Sequence, residues 1–266
     1  MAAHGGVLQG APRELNLLGV GFVGRRSEGG SLSDLRIDVS GLRALAGRGL
    51  ERAAFWREPA LAALRGLALV AALVVFPFVL LIRGGVVAYG AWGLGTWPSL
   101  GLAILATAAV LGIYATAVAR WLGAGEGARR IFVRGAMGVG VAYVAYALVF
   151  VASANVKSED VRNEYRSLHP LLRVAASALV LADPESVITD AGRVREDYGA
   201  MGLPEAEASL HYLQADGYAH ALDLRTIGRP LWRNLLVRFA FEALGFDTRR
   251  HVGTADHLHV SLPLAE

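Results

Sequence analysis

Three long uncharged stretches dominate the first two thirds of the sequence. They are residues 66–82, 84–119 and 135–156, of seventeen, thirty-six and twenty-two residues. A helix needs about 20 apolar residues to cross the hydrocarbon core of a bilayer. The middle stretch is too long for one helix and is interrupted by GAWGLGTWPS, so we place the second span at about 100–119. The pattern predicts three membrane-spanning helices within residues 61–156, with the lipid bilayer as their partner.

The arginines predict how these helices are oriented. Eight lie in residues 1–60 and four in residues 120–134, whereas the segment between the first two spans contains only Arg83. Cytoplasmic segments of membrane proteins carry an excess of arginine and lysine. We therefore expect a cytoplasmic tail at 1–60, a multi-pass location in the cell membrane and an extracytoplasmic domain at 157–266. The same arginines account for most of the net charge of +3, so the charge does not indicate a nucleic-acid partner.

The domain at 157–266 combines helical and strand-like patterns. Apolar residues recur at helical spacing at 159–181 and at 232–244, where Gly245 ends the second helix. The strand-like runs are SVITDAGR, AHALDLR and HLHVSLPL. The order helix, strand, strand, helix, strand predicts an α+β domain with a small antiparallel sheet.

Composition narrows the chemistry of this domain. The chain contains no cysteine, which excludes disulfides and thiol catalysis, and five of its seven histidines lie between residues 211 and 259. His257 and His259 alternate on the last strand, so both side chains point to one face. Asp223 lies in the AHALDL strand. Two imidazoles and one carboxylate, with a fourth position open, are the ligand set of a catalytic zinc, so the sequence indicates a Zn2+ site.

Four motifs in this domain resemble those of one superfamily. They are SLHY at 209–212, GYAHALDL at 217–224, FEALGFD at 241–247 and DHLHVSL at 256–262. Their order is similar to that in zinc D-Ala-D-Ala carboxypeptidases, lysostaphin-type peptidases and the amino-terminal domain of Sonic hedgehog, and the hedgehog-like branch matches best. The resemblance covers about residues 165–266. It implies the hedgehog/D-Ala-D-Ala peptidase-like fold and a metal held by His211, Asp223 and His259.

The spacing between the first two implied ligands departs from the family pattern. Twelve positions separate His211 from Asp223, whereas the family has seven. Two explanations remain open at this point. Either a five-residue insertion, roughly LQADG, loops out between the ligands, or His220 or Asp216 has taken a ligand role.

The resemblance also implies roles for residues around the metal. The family often uses an acidic residue three positions before its last ligand as the general base, and Asp256 stands there. The hedgehog branch has a glutamate at a position that corresponds to Gly253, so that version of the site is missing. His257, two residues before the last implied ligand, can donate to a tetrahedral oxyanion or assist proton transfer. Arg193 is implied to clamp a substrate carboxylate.

These observations support one leading hypothesis and two alternatives. The leading hypothesis is a membrane-anchored zinc metallopeptidase that hydrolyses peptidoglycan peptides in the cell wall, as D-Ala-D-Ala carboxypeptidases do. The first alternative is a non-catalytic module of the same fold that binds a peptide or a membrane-protein partner; the ligand spacing and Gly253 favour it. The second is a subunit of a larger membrane assembly. Transport by the helices alone is disfavoured because the predicted spans lack an interior ionisable residue.

Overall fold

The computed structural model describes residues 21–22, 37–38, 40–193, 208–253 and 256–264. The chain divides into two compact units, Met1–Ala71 and Ala72–Glu266. In the first unit, β1 (Gly21–Phe22) and β2 (Ile37–Asp38) pair antiparallel. Most of the predicted cytoplasmic tail at 1–60 lies outside the described residues.

Three helices are long and apolar enough to cross a membrane. The candidate membrane spans lie within α1 (Ser40–Gly90), α2 (Thr96–Trp121) and α3 (Glu126–Val149). The predicted break in the middle stretch is confirmed, since α1 ends at Gly90 and α2 begins at Thr96. The third helix does not follow its predicted bounds of 135–156, because its first turns include the arginine-rich segment and the backbone becomes extended at Phe150.

Two helices replace the single helix expected at 159–181. They are α4 (Glu159–Glu164) and α5 (Pro170–Ala182). A residue before proline is restricted to extended backbone, and His169 accordingly has φ −54 and ψ 135. The chain therefore restarts as a helix at Pro170. The new helix packs so closely on α1 that a Cβ added to Gly85 would meet Leu171 Cδ2 at 2.5 Å.

A four-stranded antiparallel sheet follows the helices. Its strands are β3 (Ile188–Asp190), β4 (Ala221–Arg225), β5 (Asp247–His251) and β6 (His257–Ser261), in the order β3-β4-β6-β5, with α6 (Leu231–Leu244) between β4 and β5. The predictions of β3, β4, β6 and α6 are confirmed. The sequence DTRRH of β5 was not predicted as a strand, because it has no apolar residues to alternate.

The two faces of the sheet differ in character. The cross-strand register places the apolar side chains of β4 and β6 together on one face. These side chains share one buried core with residues of α1, α2, α3, α5 and α6: Leu222, Leu224, Leu258, Val260, Leu81, Leu100, Val144, Leu172, Val237 and Phe241. The opposite face carries Asp223, His257 and His259. The core therefore runs without a break from the membrane helices to the sheet, and the polar residues lie on the other side of the sheet.

Candidate metal centre

The polar face of the sheet brings together two of the predicted ligands. Asp223 on β4 and His259 on β6 are direct cross-strand partners, as are Arg225 and His257. Side chains directly opposite each other on one face of a sheet lie close enough to interact. Asp223 Oδ1 is 2.9 Å from His259 Nδ1.

His211 reaches the same point from the turn-rich segment before β4. Its backbone carbonyl accepts a hydrogen bond from the N–H of Arg193 at 2.9 Å. Its Nδ1 lies 2.7 Å from the carbonyl oxygen of Ala191, which can only accept, so Nδ1 carries the proton. In the neutral imidazole the other ring nitrogen, Nε2, is then unprotonated and can bind a metal. It lies 3.2 Å from His259 Nδ1 and 3.4 Å from Asp223 Oδ1.

These three side chains fit a divalent metal ion. One ligand atom from each of His211, Asp223 and His259 lies within 4.8 Å of the others. His211 and Asp223 are 4% and 3% exposed, which shields the site from water. A metal-bound histidine normally donates its other N–H to a carbonyl or carboxylate, as His211 does to Ala191. Two imidazoles and a carboxylate suit zinc, and other divalent transition metals also accept such a set.

The charge of Asp223 also suits a cation site. Burial raises the pKa of Asp223, but hydrogen bonds with His211 and His259 outweigh burial and hold that pKa well below its usual range. Burial lowers the pKa of His211, but hydrogen bonding and charge attraction to Asp223 outweigh burial and raise that pKa overall, so a metal ion at Nε2 takes the place of a proton there. Asp223 is therefore ionised throughout the neutral range.

Arg193 lies on the far side of the Asp223 carboxylate. Its guanidinium is 3.3 Å from Asp223 Oδ2 and its Nε donates to Asp190 Oδ2 at 2.7 Å. Its side chain is only 15% exposed. This placement makes Arg193 a residue that positions a metal ligand, and its role as a substrate clamp stays a prediction.

Asp256, the predicted general base, is engaged elsewhere. Thr226 Oγ1 donates to its Oδ1 at 2.5 Å, and Arg250 donates to both carboxylate oxygens at 3.1 and 2.8 Å. The hydrogen bonds from Arg250 and then from Thr226 lower the pKa of Asp256 to about 2. A carboxylate with such a pKa is a poor proton acceptor near neutral pH. Its ion pair with Arg250 instead links β5 to the residue before β6.

A cleft of about 1030 Å³ opens beside His259, with Arg249 and His251 of β5 in its wall. His251 stacks on His257, with ring centroids 4.9 Å apart, and its centroid is 6.1 Å from that of His259. The sheet register places Arg249 opposite His259 and His251 opposite His257. Sequence reasoning missed both β5 residues because it missed the strand; the signal was the alternation of Arg249 and His251 after α6.

A second group of polar side chains lies where the domain meets the membrane helices. His169, Asp216 and His220 also have ligand atoms within 4.8 Å of one another. Thr96 in the first turn of α2 donates to Asp216 Oδ2 at 3.0 Å and lies 3.1 Å from His169 Nε2. His220 Nε2 is 3.1 Å from Asp216 Oδ2. Asp216 and His220, considered above as replacements for His211, thus belong to a separate cluster.

The hydrogen bonds of His169 argue against a metal in this second group. The backbone N–H of Leu171 donates to His169 Nδ1 at 3.2 Å, so Nδ1 has no proton. A neutral imidazole must then carry its proton on Nε2, the nitrogen that faces Thr96 and Asp216. That nitrogen has no lone pair to offer. Asp216 and His220 alone are fewer ligands than a zinc site uses, so we interpret this group as a hydrogen-bond network.

The folded chain is expected to lose stability as the pH falls below the normal range of histidine. Burial, followed by the proximity of His220, lowers the pKa of His169 from 6.5 to about 3. Between these values the unfolded chain binds a proton that the folded chain does not, so this stability is present above about pH 6.5 and is lost toward pH 3. Thermal unfolding of the full chain in detergent, measured over this range, tests the slope. His169→Gln should make the slope shallower, and an unchanged slope would contradict the assignment.

Comparisons of the chain with models of protein families, with curated proteins and with solved structures find no match. The functional proposal therefore rests on the geometry of the candidate site. The strongest feature is the Nε2 of His211, which is the metal-binding nitrogen of the neutral ring and is directed at Asp223 and His259 on the polar face of the sheet.

Proposed function

We propose that the chain is a membrane-anchored zinc metallopeptidase in which His211, Asp223 and His259 hold the metal. The observation that carries this proposal is the ligand geometry: three side chains from a turn and two strands converge, and the tautomer of His211 is set by Ala191. The cleft beside His259 provides space for a substrate. The motif order that resembles the D-Ala-D-Ala peptidase superfamily supplies the reaction class, hydrolysis of a peptide bond.

The fold supports the same assignment. A small antiparallel sheet carries one ligand on β4 and one on the neighbouring β6, with the first ligand in the segment before β4. This arrangement agrees with the hedgehog/D-Ala-D-Ala peptidase-like fold that the motifs imply. The longer spacing between His211 and Asp223 is accommodated by the turns of 212–219, which carry Asp216 to the second cluster.

The chemistry is divided among the surrounding residues as follows. A zinc ion bound at this site supplies the Lewis acidity that favours attack of water on an amide carbonyl. His257, 3.5 Å from Asp223 and a quarter exposed, is the imidazole placed to move protons between water and the leaving amine. Arg193 holds the carboxylate of Asp223 in place. Arg249 in the cleft wall is the cation placed to meet a substrate carboxylate.

The substrate class follows from the orientation proposed for the membrane helices. By the positive-inside rule, the arginines on the N-terminal side of α1 and between α2 and α3 favour a cytoplasmic location for both segments. With three spans, the sheet then lies on the extracytoplasmic side of the membrane, where peptidoglycan is found. Peptidoglycan peptides are therefore the substrate that the resemblance and the orientation jointly support.

One observation favours a second candidate function. Asp256 is held by Arg250 and Thr226 and does not belong to the ligand group among the described residues. If no other residue replaces it as the base, the site binds metal and peptide without cleaving. The alternative is therefore a peptide- or partner-binding module of the same fold.

Hydrolysis of a defined muropeptide separates the two candidates. The full chain in detergent, supplied with zinc, should release D-alanine from a peptide ending in D-Ala-D-Ala, as measured by mass spectrometry. A chelator should stop the release and added zinc should restore it. His257→Gln should lower the rate by about 10²–10⁴-fold while the bound zinc remains, because loss of general acid–base catalysis costs this much. A chain that binds zinc and peptide but releases nothing would establish the binding module.

A further inference from the structure

The outward face of α6 is apolar although it lies on the surface of the domain. The buried residues of this helix, Asn234, Val237 and Phe241, face the sheet. On the opposite side, five large apolar side chains are each more than half exposed: Leu231, Trp232, Leu235, Leu236 and Phe239. A surface helix normally turns polar residues outward, and an exposed apolar patch of this kind marks an interaction site.

The end of α6 lies at the level where α1 leaves the hydrocarbon. Gly245 terminates α6 with φ 97 and packs directly against the side chains of Arg83 and Val86, which leave no room for a Cβ. The exposed large apolar side chains of α1 continue up to Val79. Val79 and Arg83 are about one helical turn apart. The first charged residue after the apolar span thus touches the end of α6.

One buried core joins α6 to the three membrane helices. Val237 and Phe241 of α6 belong to this core together with Leu172 of α5, and α5 packs on α2 and α3. The side of α6 away from its buried residues carries Trp232, Leu236 and Phe239, each more than half exposed. These apolar side chains therefore lie uncovered on a helix that shares its core with the membrane helices.

The charges around α6 favour contact with lipid hydrocarbon over electrostatic adsorption. The neighbouring arginines are already paired with carboxylates inside the protein: Arg229 with Asp183, Arg233 with Glu185 and Arg238 with Glu242. These cations are therefore largely neutralised before they meet anionic headgroups. Trp232 and Phe239 are residue types that anchor interfacial helices at the boundary of headgroups and acyl chains.

We infer that α6 is an interfacial helix whose apolar face inserts into the surface of the same bilayer that α1, α2 and α3 cross. The partner is the lipid surface itself. Because Glu242, Gly245 and Phe246 also line the cleft beside His259, this contact holds the cleft at a fixed height above the membrane. The helix thereby selects substrates that reach the cleft close to the lipid surface.

Spin labelling tests this inference on the full chain, which contains no native cysteine to remove. Leu236→Cys and Phe239→Cys would each carry a nitroxide in phosphatidylcholine vesicles. Val74→Cys on α1 and Val252→Cys after β5, exposed by 61% and 78%, are the lipid and water controls. At both α6 positions the ratio of oxygen to nickel-complex accessibility should clearly exceed that at Val252 and fall below that at Val74, which lies deeper in the hydrocarbon. The ratio should not change when phosphatidylserine is added.

Three results would overturn the inference. A ratio equal to that at Val252 would place the face in water. Exclusion of both oxygen and nickel from Leu236→Cys and Phe239→Cys would show that protein, either a second copy or another partner, covers the face. A lipid-like ratio that appears only with phosphatidylserine would replace apolar insertion by electrostatic adsorption.

Discussion

Alanine in place of His259 or Asp223 is expected to remove the bound metal from the chain. The wild-type protein, purified without chelators in the presence of zinc, should contain one zinc per chain by elemental analysis. Each variant removes one of three ligands whose atoms lie within 4.8 Å of one another. Changes to the outer partners of a metal site already cost about 10–100-fold in affinity, so loss of a ligand should cost more. Competition with a chelator of known affinity measures the difference.

Two control variants sharpen this prediction. His251→Ala changes a ring 6.1 Å from His259 that is not in the ligand group, and it should keep the zinc. His220→Gln changes the second cluster and should also leave one zinc per chain. Two zinc ions in the wild type, one of them lost with His220, would show that the second cluster binds metal. Wild-type protein without zinc would contradict the metal centre itself.

Leu172→Ala is expected to cause a large loss of stability without touching the metal centre. Leu172 is fully buried in the core that joins α5 to the sheet and to the membrane helices. Truncation of a buried leucine leaves a cavity and lowers the free energy of unfolding by about 2–5 kcal/mol. Thermal unfolding in detergent, followed by near-ultraviolet circular dichroism, reports the change.

The matched control for this substitution is Leu213→Ala. Leu213 is 62% exposed, so its truncation should change the free energy of unfolding by less than about 0.5 kcal/mol. Equal shifts in the two variants would mean that α5 contributes no more to the core than a surface turn does. Such a result would contradict the continuous core described above.

Period-two patterns made much of the sheet predictable from the sequence. The alternation of His257 and His259 on β6 correctly indicated one shared face, and the AHALDL pattern placed Asp223 on a strand. The strand β5 was missed because its side chains are polar on both faces. That omission had a consequence for the site, since Arg250 on β5 holds Asp256. The expectation that Asp256 acts as the base could not take this partner into account.

The second cluster, formed by His169, Asp216, His220 and Thr96, could not be predicted from sequence patterns for a different reason. Its members come from three separate parts of the chain, with Thr96 and Asp216 120 positions apart. No local spacing relates Thr96 or His169 to the pair of Asp216 and His220. The break before Pro170 belongs to the same problem, because it turns His169 from a mid-helix residue into the cap of α5. Only the packing of α5 on the membrane helices brings these groups together.

The hydrogen bond from Thr96 to Asp216 means that the extramembrane part is not a detachable module. A fragment that begins after α3 would lack Thr96, whose hydroxyl is the hydrogen-bond partner of Asp216 and His169. It would also expose Leu171, which packs over Gly85. Such a fragment would expose apolar surface and aggregate. The membrane helices and the sheet therefore form one structural unit. Replacement of these membrane helices by unrelated ones during evolution would remove contacts that the domain needs to fold.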